Sequence, residues 1–224
     1  MHLLKWATGL SLLAGLSMAI LYAPTDRIQG HAQRIFYFHV PLAWVGFGAF
    51  AIVAVAGLLY LLRPSEVADR WARSAAEIGV VFTTLVLITG SIWGRAVWGT
   101  WWTWDARLTT TLILWTIYVA YLLVRAYAGD RVRAARYGAV VGIIGFLNVP
   151  IVYLSVVWWR TLHPGPTVVT SEGVGMPMPM LWTLLLNLLA FTLLFVFLMA
   201  QKLRVEAVRD RISGMEEALG AEAS

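Results

Sequence analysis

Six long apolar runs mark the chain, near residues 6–23, 41–62, 75–93, 108–124, 137–158 and 180–201. Each lasts about 17 to 22 residues, close to the roughly 20 that a helix needs to cross a bilayer. Charge, Gly or Pro bounds every one. Within the last run, residues 181–200 carry no charge and only Thr183, Asn187 and Thr192 as polar side chains. A lipid-exposed backbone must satisfy its own hydrogen bonds, so such runs read as helices. The pattern predicts an all-α, polytopic integral membrane protein with six transmembrane helices over residues 1–201. A charged tail at 202–224 extends the last helix and then frays.

The basic residues orient these spans. Twelve Lys and Arg fall on the side of the two termini: Lys5, the 63–74 and 125–136 loops, and the tail. Five fall on the other side: Arg27, Arg34, Arg95, Arg107 and Arg160. Over short loops this asymmetry puts both termini in the cytoplasm, as an even number of spans requires. A cleaved signal peptide is the alternative for the first run, but its apolar stretch exceeds the 7–15 residues of an h-region.

Composition agrees. Of 224 residues 60% are apolar and 13% charged, with mean hydropathy +0.74, against about 25% charged in a soluble domain. The net charge of +5 and pI near 9.8 then read as Lys and Arg facing anionic lipid, not nucleic acid. The chain has no Cys, which excludes disulfides, thiolate metal sites and a C-x-x-C-H haem attachment within it. No G-x-x-x-x-G-K-[ST] loop is present, so an ATP-driven step needs another subunit.

Chemistry is left to four histidines, the tryptophans and a few charges. His2 falls on the cytoplasmic side; His31, His39 and His163 fall in outer loops, and none lies inside an expected span. This argues against a proton-relay pump, which needs ionisable groups at depth. Glu77, a carboxylate near the cytoplasmic end of a span, is expected to be solvated or Arg-paired.

The outer loop at 93–107 holds five of the 12 tryptophans: Trp93, Trp98, Trp101, Trp102 and Trp104. An interfacial aromatic belt accounts for Trp6, Trp44, Trp71, Trp158, Trp159 and Trp182, since Trp favours the headgroup level. It accounts poorly for a cluster on one loop, and composition favours a platform for a planar ligand. Gly94 and Gly99 are expected to fold the loop back on itself. Asp105 is placed to N-cap the fourth helix, and Arg95 and Arg107 either snorkel or meet ligand carboxylates.

His39, in Phe36-Tyr37-Phe38-His39-Val40-Pro41, immediately precedes the second span, and His163, in Trp158-Trp159-Arg160-Thr161-Leu162-His163-Pro164, follows the fifth. Ordinary loop polarity explains a single His. Two at matching depth beside an aromatic loop suit paired axial ligands of an iron porphyrin, with His31 ranked behind them. Met176, Met178 and Met180 alternate with prolines, a pattern that suits packing and helix entry more than soft copper ligation.

The run Trp98-Gly99-Thr100-Trp101-Trp102-Thr103-Trp104-Asp105-Ala106-Arg107-Leu108-Thr109 resembles the tryptophan-rich (WWD) signature of the haem-handling membrane proteins of cytochrome c maturation. Size, six spans, His39-Val40-Pro41 and the Trp-Trp-Arg-Thr-Leu-His-Pro of the third outer loop resemble the CcmC family within that group. The likeness extends over essentially the whole chain up to the tail. It implies non-covalent binding of haem b against Trp98, Trp101, Trp102 and Trp104, with Asp105, Arg95 and Arg107 alongside and His39 and His163 as axial ligands. Implied partners are the periplasmic haem chaperone CcmE, the small membrane subunit CcmD and the transporter pair CcmA and CcmB, in a bacterial cytoplasmic membrane. The expected role is positioning and delivery of haem, with no catalytic side chain assigned. The alternatives are a haem permease and a haem lyase of the CcsA or CcmF type, which is larger than this chain.

Overall fold

The computed structural model describes residues 1–159, 161–163, 165, 168–170 and 173–222. Six helical segments are long and apolar enough to cross a membrane: His2–Tyr22, His31–Leu62, Glu66–Trp98, Ala106–Tyr127, Arg131–Trp158 and Met178–Ile212. The chain is an all-α, six-span membrane protein.

Helix α1 (His2–Ser17) relaxes into a π-helical turn at Met18–Tyr22. The turn's freed carbonyls are met from outside: the Arg34 guanidinium donates to Ala19 O at 3.0 Å and to Ile20 O. Arg34 belongs to a 3₁₀ turn, His31–Ile35, that runs directly into α2 (Phe36–Leu62). The second helix therefore starts ahead of the expected residue 41, and Pro41 lies inside it. Likewise α3 (Glu66–Trp98) starts well before 75 and takes in Arg70 and Arg73, expected in a loop. Both helices outrun their apolar runs, because helical hydrogen bonding continues where lipid contact ends.

After α4 (Ala106–Tyr127) the fifth run divides into α5 (Arg131–Phe146) and α6 (Asn148–Trp158). Pro150 is the cause: it lacks an N–H, and its ring crowds the carbonyl of Phe146, four residues back. Asn148 ties the break to α4 by donating from Nδ2 to Thr110 O at 2.8 Å. A two-residue-per-strand hairpin, β1 (Val169–Thr170) with β2 (Gly173–Val174), leads toward α7 (Met178–Glu222).

The core centres on α2, which packs mainly on α3 and α5. Phe50 stacks on Tyr118 of α4 with centroids 3.6 Å apart, and the Tyr118 hydroxyl donates to Gly142 O at 2.9 Å. A Cβ on Gly142 would stand 2.6 Å from Val53 Cγ1, so glycine is what lets α5 approach α2, as small residues do between membrane helices. A second cluster joins Ala19 and Ala23, Phe36 and Tyr37, and Met180 and Leu184. It fixes the ends of α1, α2 and α7 beneath the tryptophan-rich region.

The arginine-rich end is tied by ion pairs. Glu206 of α7 meets Arg73 at 3.1 Å, Lys202 at 2.9 Å and Arg209 at 3.0 Å. Asp210 meets Arg70 at 3.0 Å, Arg73 at 2.9 Å and Arg131, and Asp69 of α3 meets Arg125 of α4 at 2.7 Å. Glu77 stays partly solvated, as expected, and its cation is a lysine, Lys202, at 2.6 Å, where an arginine was the expected partner. At 1.5 Å per residue, the 45 residues of α7 span roughly 68 Å, about twice a bilayer core.

Candidate functional site

Helical structure in α3 persists through Trp98, so the loop proper is residues 99–105 and starts later than the expected 93. Gly99 ends the helix in the left-handed region, φ +77°, which a residue with a Cβ adopts only under strain. The Arg95 guanidinium reaches back to donate to Gly99 O. Gly94 makes no turn, contrary to expectation: it is helical and buried, and a Cβ there would meet Thr100 O and the Trp98 ring, both at 3.3 Å. Its small size lets the loop fold against its own helix.

From there the chain is pinned by short polar contacts. Thr100 Oγ1 donates to Trp102 O at 3.0 Å, and Thr103 Oγ1 to Asp105 Oδ2 at 3.1 Å. Asp105 caps α4, as its position predicts, accepting from Arg107 N at 2.9 Å and Leu108 N at 3.1 Å. This ordered turn leaves Trp101 and Trp104 59% and 75% exposed. Trp102 packs edge-on to Trp104, centroids 5.6 Å apart, and its buried Nε1 has no hydrogen-bond partner among the described residues.

The structure corrects the placement of His39. It is not in a loop before the second span but in the first turns of α2, within the helical segment His31–Leu62. Its ring crosses Trp93 edge-on at 5.6 Å, and a Cβ on Gly90 of α3 would stand 3.1 Å from its Cε1. Nδ1 stands 2.9 Å from Thr89 Oγ1. That hydroxyl gives its own proton to Leu85 O at 2.7 Å, so it accepts from Nδ1–H. The bond fixes the tautomer and leaves the Nε2 lone pair uncommitted.

His163 follows α6, its ring edge-on to Trp98 with centroids 4.9 Å apart. Its Nδ1 lies 3.6 Å from Asp105 Oδ2, beyond hydrogen-bond reach. Burial holds its pKa below the ordinary histidine value; Asp105 opposes that shift and Arg107 adds to it. His163 and Arg107 also stand close enough to His39 to act on it electrostatically. Trp93 and Trp98, in the last turns of α3, thus carry one histidine each.

Arg107 is half-buried, with Asp105 and Tyr153 as electrostatic neighbours, while Arg95 is exposed. His31 is exposed in its 3₁₀ turn. Met180 is core and Met176 packs beside it, whereas Met178 is exposed. A shallow cleft of about 350 Å³ opens beside the loop, lined by Trp104, Asp105, Ala106, Thr109, Thr110 and Trp159. Arg160 and Pro164 lie outside the described residues.

Sequence reasoning missed Thr89, Thr109, Thr110 and the position of Trp159, assigned to the interfacial belt. Thr89 is 50 positions from His39, and no local pattern announces the pairing. Trp159 adjoins Trp158, and only the fold shows that it lines a cleft with Trp104.

The family CcmC, heme exporter protein C, matches residues 1–217. The chain is similar to heme exporter protein C of Bradyrhizobium diazoefficiens, 41% identical over 218 residues, covering 96% of this chain and 82% of that protein. It is similar to heme exporter protein C of Escherichia coli K12, 42% identical over 164 residues, 73% of this chain and 67% of that one. A putative cytochrome c biosynthesis ccmC-like mitochondrial protein of Marchantia polymorpha is 37% identical over 174 residues, 78% of this chain and 73% of its own length. A family match over nearly the whole length, with relatives above 40% identity, establishes that the chain belongs to the CcmC, heme exporter protein C, family.

Proposed function

We propose that this protein binds haem b non-covalently at the tryptophan-rich, periplasmic face and presents it to the chaperone CcmE for cytochrome c maturation. CcmD and the CcmA–CcmB transporter pair complete the assembly in the bacterial inner membrane. His39 and His163 are the axial ligands, and Trp98, Trp101, Trp102 and Trp104 form the platform. The observation that carries this reading is the pairing of two imidazoles with the end of one helix. His39 is held by Thr89 with Nε2 uncommitted, and His163 has Nδ1 toward Asp105, each ring against a tryptophan of α3.

The donor set fits an iron porphyrin. A metal-bound imidazole directs its other nitrogen to a hydroxyl, carbonyl or carboxylate. Exposed indole faces suit an apolar macrocycle. The buried Trp102 Nε1 and Thr109 Oγ1, both lacking partners among the described residues, offer polar contacts to a ligand edge. Arg95 and Arg107 supply positive charge for propionates. The cargo brings the redox-active iron and the vinyl groups; this chain's residues hold, orient and leave one edge accessible.

Delivery is favoured over permeation by the bundle interior. Thr83, Thr111, Ser155, Thr183 and Asn187 are buried and donate to backbone carbonyls, so these polar groups do not form a hydrated path.

The test is the absorption and EPR spectrum of purified protein, wild type and with His39→Ala or His163→Ala, followed by haem transfer to purified CcmE. Wild type should show a bis-imidazole spectrum and each variant a loss of one ligand with impaired transfer. Unaltered spectra in both variants would remove the axial assignment.

A further inference from the structure

Past its charge-free part, α7 carries an apolar stripe that none of the described residues covers. Val205, Val208, Ile212, Met215 and Leu219 are each 49–67% exposed. Their spacing alternates three and four residues, the a/d repeat of a coiled-coil seam. The opposite side of the same helix is already occupied. Glu206 and Asp210 are buried in ion pairs with α3 and with Arg131 at the start of α5. At 100° per residue the stripe's centre lies roughly 160° around the helix from that pair. The clamp therefore fixes the helix and aims the stripe outward.

Lipid does not reach most of it. The charge-free part of α7 ends at Gln201. Val208 and Leu219 lie about 10 and 27 Å further along the axis, whereas a headgroup layer is about 5–8 Å deep. A second copy of the chain uses the flanking charge less well than an acidic helix. The positions flanking the seam carry exposed Arg204, Arg209 and Arg211; parallel self-pairing would set Arg204 of one helix against Arg209 of the other and give only Arg211 an opposite charge, Glu216, whereas Glu or Asp on a partner would meet all three arginines.

We infer that this stripe is a docking seam for a helix of another protein on the arginine-rich side, with an apolar a/d face and Glu or Asp at its flanks. The flanking arginines select partner and register, and the apolar seam supplies the contact area. This inference does not depend on the haem reading.

Full-length protein in nanodiscs tests it directly. Because the chain has no cysteine, Met215→Cys supplies a unique labelling site for an environment-sensitive fluorophore. The probes are two designed helical peptides with identical Leu/Ile seams, one flanked by Glu and the other by Lys. The Glu-flanked peptide should bind at least about tenfold more tightly, with an affinity that falls as salt rises. Arg204→Glu with Arg211→Glu should invert the preference while leaving the Glu206 and Asp210 pairs intact. Val208→Asp with Ile212→Asp should abolish binding of both peptides.

Equal binding of the two peptides, or none of either, overturns the inference. So does quenching of the fluorophore by nitroxide-headgroup lipids, which would place the stripe on the membrane. Efficient disulfide-linked dimers of Ile212→Cys would identify a second copy as the occupant, and would overturn it as well.

Discussion

Replacing Asp105 by Asn and by Ala separates its two roles. The carboxylate caps α4 through two backbone N–H groups and stands 3.6 Å from His163 Nδ1. An N-cap lost to Ala costs about 1 kcal/mol, whereas Asn caps about as well as Asp. Asp105→Asn should therefore keep the melting temperature near wild type while removing the negative charge facing His163. Loss of such an outer-shell partner typically costs about 10–100-fold in metal affinity, or roughly 1.4–2.7 kcal/mol. It should also raise the haem midpoint potential, because a nearby anion favours ferric over ferrous iron. Asp105→Ala should show the same haem defect with a lower melting temperature added. The assays are haem titration, potentiometry and thermal unfolding of detergent-purified protein. If Asp105→Asn binds haem with unchanged affinity and potential, Asp105 serves only as a cap, and the proposed backing of His163 is wrong.

Glu206→Gln should destabilise the fold by about 3 kcal/mol, the low end for breaking a buried ion pair, since Arg209 retains solvent contact; faster proteolysis of the α7 extension reads this out. Gly15→Ala places a Cβ 2.7 Å from Asn187 Oδ1 and strains the Asn187 Nδ2 bond to Gly15 O. A loss of about 1–3 kcal/mol is expected, and thermal melting should show part of it recovered with Asn187→Ala. Acidification should weaken haem binding through His163. Burial lowers its pKa, so the folded state holds the proton more weakly than the unfolded chain. The corresponding stabilisation is present above the ordinary value near 6.5 and lost as pH falls through the folded one. Spectral loss of haem centred above pH 7 would contradict that sign.

Hydrophobic runs alone were enough to read six spans, because lipid demands about 20 apolar residues whatever the fold. They were poor at helix ends. His39 looked like a loop residue because Phe36-Tyr37-Phe38 precede the long apolar run, yet these aromatics bury against α1, α3 and α7 and draw the helix start back to Phe36. The break at Leu147 was written in Pro150, but an uninterrupted apolar run masked it. For the proposed site, the residue types were legible from Trp clustering and from His39 and His163 on either side of it in sequence, although His39 lies inside α2 and not in a loop. Thr89 and the cleft-lining side of Trp159 were not, because both depend on contacts between elements distant in sequence. The ionic clamp was hidden for the same reason: the tail's mixed charges resemble a solvated helix until Arg70, Arg73 and Arg131 come together around Asp210.

The two ends of the bundle hold their polar groups differently, and the difference bears on how a face that binds haem as proposed would release it. At the arginine-rich end, Glu206 and Asp210 each meet three cations. Breaking any one contact leaves the carboxylate paired, so that end resists opening. At the tryptophan-rich end, Trp102 Nε1 and Thr109 Oγ1 are buried without a hydrogen bond among the described residues, as Arg73 Nε and Ser74 Oγ are at the other, but only the first two adjoin the exposed indoles. Each such orphan costs about 1–3 kcal/mol, and a ligand supplying partners recovers part of it. Haem bound at this face as proposed would draw part of its binding energy from relieving the protein's own unsatisfied groups. A site of that kind would hold cargo without being a deep cavity, and Trp101 and Trp104 are exposed where the proposed chaperone would approach. On the proposed reading, the ionic clamp lies at the end opposite the haem face, where it ties α3, α5 and α7 together without constraining exchange of cargo contacts.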